Sequence, residues 1–285
     1  MARDRNTLTL RQRWTLDDIP WDRIDPCLMA SQEILFFLVL SASFIETATD
    51  TYTRNLVEYY ADDPVVSGWL SSRWQHEELQ HGSALRRYAE TAWPGMDWAA
   101  SYARFFEEFS AKCAEDELES SHTLEAVSRC IVEMGTATYY LSVSRLSPDP
   151  VLARLAGLIR EDEVRHYKYF LRYFRTYQEK ERAGRLSILR AILRRLRMID
   201  VSDSAIALRH AYAMRHPGAP YDHRIYRALQ KRIKRAVGAR FPVEMGARMT
   251  LKPLDLSPAV QKTVISVLTP ISRYVLGTSA RPGPG

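Results

Sequence analysis

The sequence predicts an all-α protein: a bundle of four long helices followed by further helices. Three observations predict this. Apolar residues recur at helical spacing through most of the chain. Proline and glycine are gathered at a few breaks. Two stretches of similar design follow one another, each reading as a helical hairpin. The chain has 285 residues, 46% hydrophobic and 26% charged, which is ordinary for a folded protein and too apolar for disorder. Its 12 glycines argue against a glycine-rich all-β chain or a collagen.

The first helix is expected from Ser31 to Tyr60, a stretch without Pro or Gly, stopped at Asp62-Asp63-Pro64. A second runs from Pro64 to Ala92 and ends at Trp93-Pro94-Gly95. A third element, Trp98 to Ala114, leads into a helix ending near Leu146, and Ser147-Pro148-Asp149-Pro150 is a compact break. A long helix follows from Val151 to about Glu181. Beyond it the pattern is less regular. Arg185–Met198 reads as a basic amphipathic helix, Val201–His216 as another, and Asp222 as the N-cap of a helix to about Val237. Pro258–Leu276 is a last, weaker helix, and Ala280–Gly285 a frayed tail. The expected organisation is an extension at residues 1–30, the bundle at 31–181, and a basic helical extension at 182–285 packed on the bundle.

The internal repeat carries the chemistry. Glu46-Thr-Ala-Thr-Asp-Thr-Tyr52 resembles Glu133-Met-Gly-Thr-Ala-Thr-Tyr139, and Glu78-Leu-Gln-His81 resembles Glu163-Val-Arg-His166. Each pair flanks an Asp-Pro-Val turn, Asp63-Pro64-Val65 or Asp149-Pro150-Val151. The gaps nearly match: Glu to Pro is 18 then 17 residues, and Pro to the second Glu is 14 then 13. In an antiparallel hairpin, residues at similar distance from the turn lie at similar height. Four carboxylates are thereby placed at one level, with His81 and His166 on the faces of Glu78 and Glu163. Bare anions cannot persist in an apolar interior, because desolvating each costs several kcal/mol and they repel one another. Two divalent cations neutralise four Glu, and mixed oxygen and nitrogen donors suit iron or manganese. The competing reading is a bundle whose Glu residues pair with Arg54, Arg129 or Arg165.

These segments resemble the soluble acyl-carrier-protein desaturases of the ferritin-like di-iron carboxylate superfamily. Glu46–Tyr52 is close to that family's E-E-A-x-P-T-Y, and Trp74–Gly82 fits W-x-x-E-E-x-x-H-G. Glu133–Thr136 fits E-x-x-T, and Asp162–His166 fits D-E-x-R-H. Asp50 stands where the family has Pro, and Tyr167 where an acidic residue is usual. The resemblance implies a ferritin-like four-helix bundle with two iron ions, manganese being possible at one or both positions. It implies six ligands, Glu46, Glu78, His81, Glu133, Glu163 and His166, with Glu78 and Glu163 bridging. Thr136 would be the hydroxyl beside the oxygen-binding face, and Asp162 the acceptor for a ligand histidine. The implied reaction is O2-dependent oxidation of an aliphatic, carrier-linked acyl chain, with an external electron donor such as ferredoxin and a homodimeric assembly. Within the superfamily, a hydroxylase or N-oxygenase acting on a small metabolite and a ferroxidase or iron-binding protein stay open. A ribonucleotide-reductase small subunit is a further reading, disfavoured because it would carry Asp where this chain has Glu46.

An apolar slot is expected near Leu38, Phe44, Leu141 and Tyr140. Tyr52, Tyr139 and Tyr140 read as core residues with satisfied hydroxyls, and Cys130 as a small buried hydrophobe. Trp69 and Trp74 read either as packing or as an electron relay. Net charge is +6, concentrated late: Arg172–Arg197 holds nine Arg/Lys against two Glu. Arg185, Arg190, Arg194, Arg195 and Arg197 could steer an acidic carrier protein; the alternative is a plain solvated or oligomer-facing surface. The stretch lacks the aromatic interleaving of a nucleic-acid site. Three widely spaced cysteines form no disulfide framework or metal knuckle. The apolar run Ile34–Ile45 is too short to span a bilayer, so a cytoplasmic location is expected.

Overall fold

The computed structural model describes residues 13–113, 118–199, 203–218 and 222–275. All regular structure among them is helical. A short α1 (Pro26–Ala30) precedes α2 (Glu33–Thr47) and α3 (Thr49–Tyr59). Next come α4 (Pro64–Trp69), a five-residue π-helical turn (Leu70–Trp74) and α5 (Gln75–Ala92), which continue one another. A peripheral α6 (Trp98–Cys113) leads to α7 (His122–Leu146) and α8 (Pro150–Glu181). The rest comprises α9 (Arg185–Ile199), α10 (Asp203–Arg215), α11 (His223–Arg240), α12 (Val243–Leu251) and α13 (Pro258–Val275). The bundle is two antiparallel hairpins: α2/α3 with α4/α5 forms one, and α7 with α8 the other.

The two turns are built alike. Asp63 caps α4 by accepting from the amides of Val65 and Val66, and Asp149 caps α8 by accepting from that of Val151. Pro at the first helical position has no amide to leave orphaned. Each cap also accepts a tyrosine hydroxyl from the other hairpin: Tyr177 on Asp63 at 2.8 Å, and Tyr88 on Asp149 at 2.5 Å. The hairpins are thereby tied together at both ends.

The helix expected over Ser31–Tyr60 begins at Glu33 and is broken at Ala48, where α2 and α3 diverge by 42°. No described helix is by itself long and apolar enough to cross a membrane; only the bent α2/α3 pair reaches that length and composition. The Val243–Leu251 helix was not foreseen, because Phe241-Pro242 and Lys252-Pro253 crowd a short segment with break signals. The helix expected over Val201–His216 is described at Asp203–Arg215, Val201 and Ser202 lying outside the described residues, and Pro270 lies inside α13. The expected frayed tail Ala280–Gly285 lies outside the described residues.

The core is two apolar clusters. One gathers the first part of α2, the second half of α5, the start of α8 and parts of α6, α10 and α11 around Phe37, Leu40, Phe44, Tyr88 and Leu155. The other gathers α3, α4 and the middle of α8 with α9 around Leu56, Leu70, Ile131 and Phe170. Between them, across all four bundle helices, lies the level of Glu46, Glu78, Glu133 and Glu163.

At that level α5 comes into backbone contact with α2. A Cβ on Gly82 would stand 2.6 Å from Thr47 Oγ1 and 2.7 Å from the Thr47 amide nitrogen. No side chain fits, and backbone cannot yield cheaply. Gly82→Ala should therefore lower stability by about 1–3 kcal/mol, read as a drop in thermal midpoint.

Candidate metal centre

The one-residue difference between the repeats has a local cause. From Glu46 to the end of α3 and from Glu133 to the end of α7 the distance is the same, 13 residues; the first turn is one residue longer. From Pro64 to Glu78 the extra residue is absorbed by the π turn, a one-residue widening of an α-helix, whereas α8 is uninterrupted. Glu78 and His81 are thus brought level with Glu163 and His166.

All six residues named from the sequence come together, and each is at most 6% exposed. They form two groups whose ligand atoms lie within 4.8 Å of one another: Glu46, Glu78, His81 and Glu163, and Glu78, Glu133, Glu163 and His166. Glu78 and Glu163 belong to both. On the first side, His81 Nδ1 lies 3.3 Å from Glu163 Oε1, 3.8 Å from Glu78 Oε2 and 4.0 Å from Glu46 Oε2. On the second, His166 Nδ1 lies 2.9 Å from Glu78 Oε1, 3.6 Å from Glu133 Oε2 and 3.9 Å from Glu163 Oε2. Each shared carboxylate turns one oxygen to either side.

The outer groups fix the inner ones. His81 Nε2 donates to Asp162 Oδ2 at 3.0 Å, and His166 Nε2 donates to Glu77 Oε2 at 2.8 Å. A carboxylate at Nε2 keeps the proton there and leaves the Nδ1 lone pair facing inward. Arg165 binds both acids, Asp162 at 2.5 Å and Glu77 at 3.3 Å, and Arg73 adds a 3.2 Å contact to Glu77. Two acids and two guanidinium groups balance, so the four inner carboxylates are left as the uncompensated charge. The Thr136 hydroxyl donates to Glu163 Oε2 at 2.6 Å. The Trp74 indole donates to Glu133 Oε1 at 3.1 Å, and the Tyr140 hydroxyl to Glu46 Oε1.

The titration behaviour shows the strain of this packing. Burial, then the neighbouring Glu78 and Glu163, raise Glu46 well above the usual carboxylate range. Burial raises Glu133 as well, against the pull of His166. Burial also works to raise Glu78, but the imidazoles of His166 and His81 outweigh it and hold Glu78 low. Both histidines are raised despite burial by the carboxylates around them. Asp162 and Glu77 are held below the usual range, where the hydrogen bonds of their histidines and the charge of Arg165 overcome burial.

The residues fit a pair of divalent cations. Glu78 Oε1, His81 Nδ1, Glu163 Oε1 and His166 Nδ1 are buried, face the cluster and make no hydrogen bond. Donor atoms each about 2.1 Å from one ion lie at most about 4.2 Å apart, and the six distances from His81 Nδ1 and His166 Nδ1 to the carboxylates meet that bound.

Five participants were given no part in holding the ligands by the sequence reading: Glu77, Trp74, Tyr140, Trp14 and Arg73, the last bound to Glu77. Glu77 repeats the part of Asp162, and the acid preceding Glu78 and Glu163 in both repeats was the available signal. Trp74 was read as packing or an electron relay and Tyr140 as a core residue, yet both hold carboxylates of the cluster. Trp14 donates to Asp162 at 2.8 Å and stacks flat on His81, with ring centres 6.1 Å apart; nothing in its sequence neighbourhood announces this. Among the other expectations, Leu38, Phe44 and Tyr140 are buried in one cluster, and Leu141 is half-buried. The Tyr139 hydroxyl is satisfied by the Leu38 carbonyl and that of Tyr52 by Asp203, and Cys130 is buried. Arg129, an alternative partner for the ligand carboxylates, instead pairs with Glu125 at 2.6 Å. Of the five α9 arginines, Arg185, Arg190 and Arg197 face outward; Arg194 binds Glu119 at 2.5 Å, and Arg195 is half-buried beside Glu125.

No family model matches the sequence. The chain is 28% identical over 170 residues to a chloroplastic stearoyl-[acyl-carrier-protein] 9-desaturase of Arabidopsis thaliana, a span of 56% of this chain and 43% of the relative. It therefore covers under half the length of that relative. Among solved structures, an R2-like ligand-binding oxidase with a Mn/Fe cofactor aligns at a TM-score of 0.48 and 17% identity, covering 80% of this chain and 86% of that one. A variant with an Fe/Fe cofactor aligns at 0.46 and 16%, covering 80% and 87%. Four helices that bring buried Glu and His residues to one level are thus joined to sequence similarity, over part of the chain, to an acyl-carrier-protein desaturase.

Proposed function

We propose that this protein is an O2-dependent di-iron oxidoreductase that oxidises an aliphatic chain in the manner of the soluble acyl-carrier-protein desaturases. The observation that carries the reading is the pair of four-residue groups sharing Glu78 and Glu163, set in a dry layer between two apolar clusters. Glu46, Glu78, His81, Glu133, Glu163 and His166 are the proposed ligands, with iron at both positions or manganese at one or both. Bound there, the metal pair supplies O2 activation and an oxidant for unactivated C–H bonds.

The chain's own residues set the conditions. Asp162 and Glu77 keep each imidazole in one tautomer and one orientation. Trp74 and Tyr140 hold the outer carboxylates of Glu133 and Glu46. Thr136 touches the shared carboxylate of Glu163 and is the catalytic residue we assign beside the reacting face. The apolar clusters exclude water and offer an alkyl chain a surface of its own kind. Reduction of O2 to water needs four electrons; formation of a double bond supplies two, and an external donor supplies the others.

The outward arginines of α9 are proposed to steer an acidic carrier protein. Arg185, Arg190 and Arg197 lie beside exposed Leu186, Leu189 and Leu193, an apolar strip with a basic border. Arg194 and Arg195 are engaged with the α7 side of the fold, so a test of docking should spare them.

Metal content should approach two ions per chain, one for each group. Glu78→Ala removes a shared ligand and should empty both positions, whereas Glu46→Ala should leave the second group loaded; elemental analysis of purified variants decides this. Metal affinity should rise with pH, since Glu46, Glu133, His81 and His166 hold protons more tightly than free side chains and must release them to bind. Isothermal titration in buffers of different ionisation enthalpy measures the protons released. Mass spectrometry of a carrier-bound acyl chain after turnover tests the reaction. A loss of two hydrogens supports desaturation, 18O from O2 in the product indicates a hydroxylase or N-oxygenase instead, and ferric iron accumulating without organic product indicates a ferroxidase. Arg190→Glu with Arg197→Glu should raise KM for a carrier-linked substrate about tenfold at low salt with metal content unchanged.

A further inference from the structure

Electrons must reach a centre sealed between two apolar clusters, and one aromatic pair leads from the surface to it. Trp69 closes α4 immediately before the π turn. Its ring stands edge-on to the candidate ligand His166, with ring centres 6.3 Å apart, and is half-buried. On its other side lies Tyr169, 4.9 Å between centres and also half-buried. The Trp69 indole nitrogen is buried with no hydrogen-bond partner. Trp74, the other tryptophan near His166, is only 6% exposed and is committed to Glu133. Of the two, Trp69 alone bridges solvent and centre.

The surface beside this pair is basic. On α8, Lys168, Arg172 and Arg175 are exposed, and the helix carries no carboxylate between Glu163 and Glu179. No ion pair ties these three down among the described residues. At 100° per residue they occupy one stripe, and Tyr169 lies between that stripe and the face bearing His166, Phe170 and Tyr173. Trp69 packs against Tyr169 and against Phe170 and Tyr173 of that face.

We propose that this patch is where an acidic one-electron carrier protein docks, and that Tyr169 and Trp69 form the path by which its electrons reach the His166 side of the centre. The inference rests on the di-metal reading above and gives its external donor a place. Two carrier molecules would each give up one electron, and the two electrons would pass through these rings to metal ions held by the His166 side of the cluster. The aromatic rings serve as the medium, with no net change and no bond made or broken. The carrier-docking face proposed on α9 is separate, so the two acidic partners need not compete.

The test uses metal-loaded protein, a reduced plant-type [2Fe–2S] ferredoxin as the probe, and anaerobic stopped-flow absorbance of ferredoxin reoxidation. Trp69→Leu should slow this transfer about tenfold or more, with Trp69→Phe intermediate, because the protein's share in redox chemistry is placement of the path. Metal content and the rate of reduction by methyl viologen radical should stay at the parent value. Lys168→Glu with Arg172→Glu should slow ferredoxin oxidation about tenfold at low ionic strength and flatten its salt dependence. The proposal is overturned if Trp69→Leu and Trp69→Phe transfer at the parent rate, or if viologen reduction slows equally, which would mark a disturbed centre. It is also overturned if the charge reversals leave the salt dependence intact. Absence of metal from the parent protein would instead defeat the functional reading on which this rests.

Discussion

The fold is organised by a layer of charge that it cannot solvate. Four carboxylates and two imidazoles meet where every bundle helix passes from one apolar cluster to the other. An uncompensated group of that kind is strongly destabilising. Burial and like charge raise Glu46 and Glu133 above the usual carboxylate range, and an outer ring of Asp162, Glu77, Arg73 and Arg165 balances itself. Cations would compensate the inner carboxylates, and the inward lone pairs are already aimed for them.

The ring around the centre crosses between hairpins. His81 of the first is held by Asp162 of the second, and His166 of the second by Glu77 of the first. The tyrosines on the two turn caps cross in the same sense. Each hairpin therefore lacks part of what orients its own ligand until the other is in place. That coupling makes the geometry a property of the whole bundle.

Much of this was legible in the chain. The six inward residues, the Asp-Pro turns and nearly every helix follow from spacing and capping. The departures have local reasons. The bend at Ala48 falls within a stretch free of Pro and Gly, where periodicity alone reads as one helix. The short α12 lies between prolines that suggest a loop. The π turn showed itself only as a one-residue mismatch between repeats, a count whose meaning requires the backbone. Glu77 was visible beside Glu78, but a carboxylate next to a ligand has the composition of any solvated helix face.

The sequence by itself determined which side chains share a face and at what height they stand, because helical period, N-caps and proline breaks act within a few residues. Only the tertiary structure decided which groups meet across helices. Trp14 lies far along the chain from both His81 and Asp162. Tyr140 reaches Glu46 on another helix, and α9 turns Arg195 inward while leaving Arg190 out. Those contacts depend on the rotation and offset of packed helices, set by how two apolar clusters fill their volumes, and no local pattern encodes that.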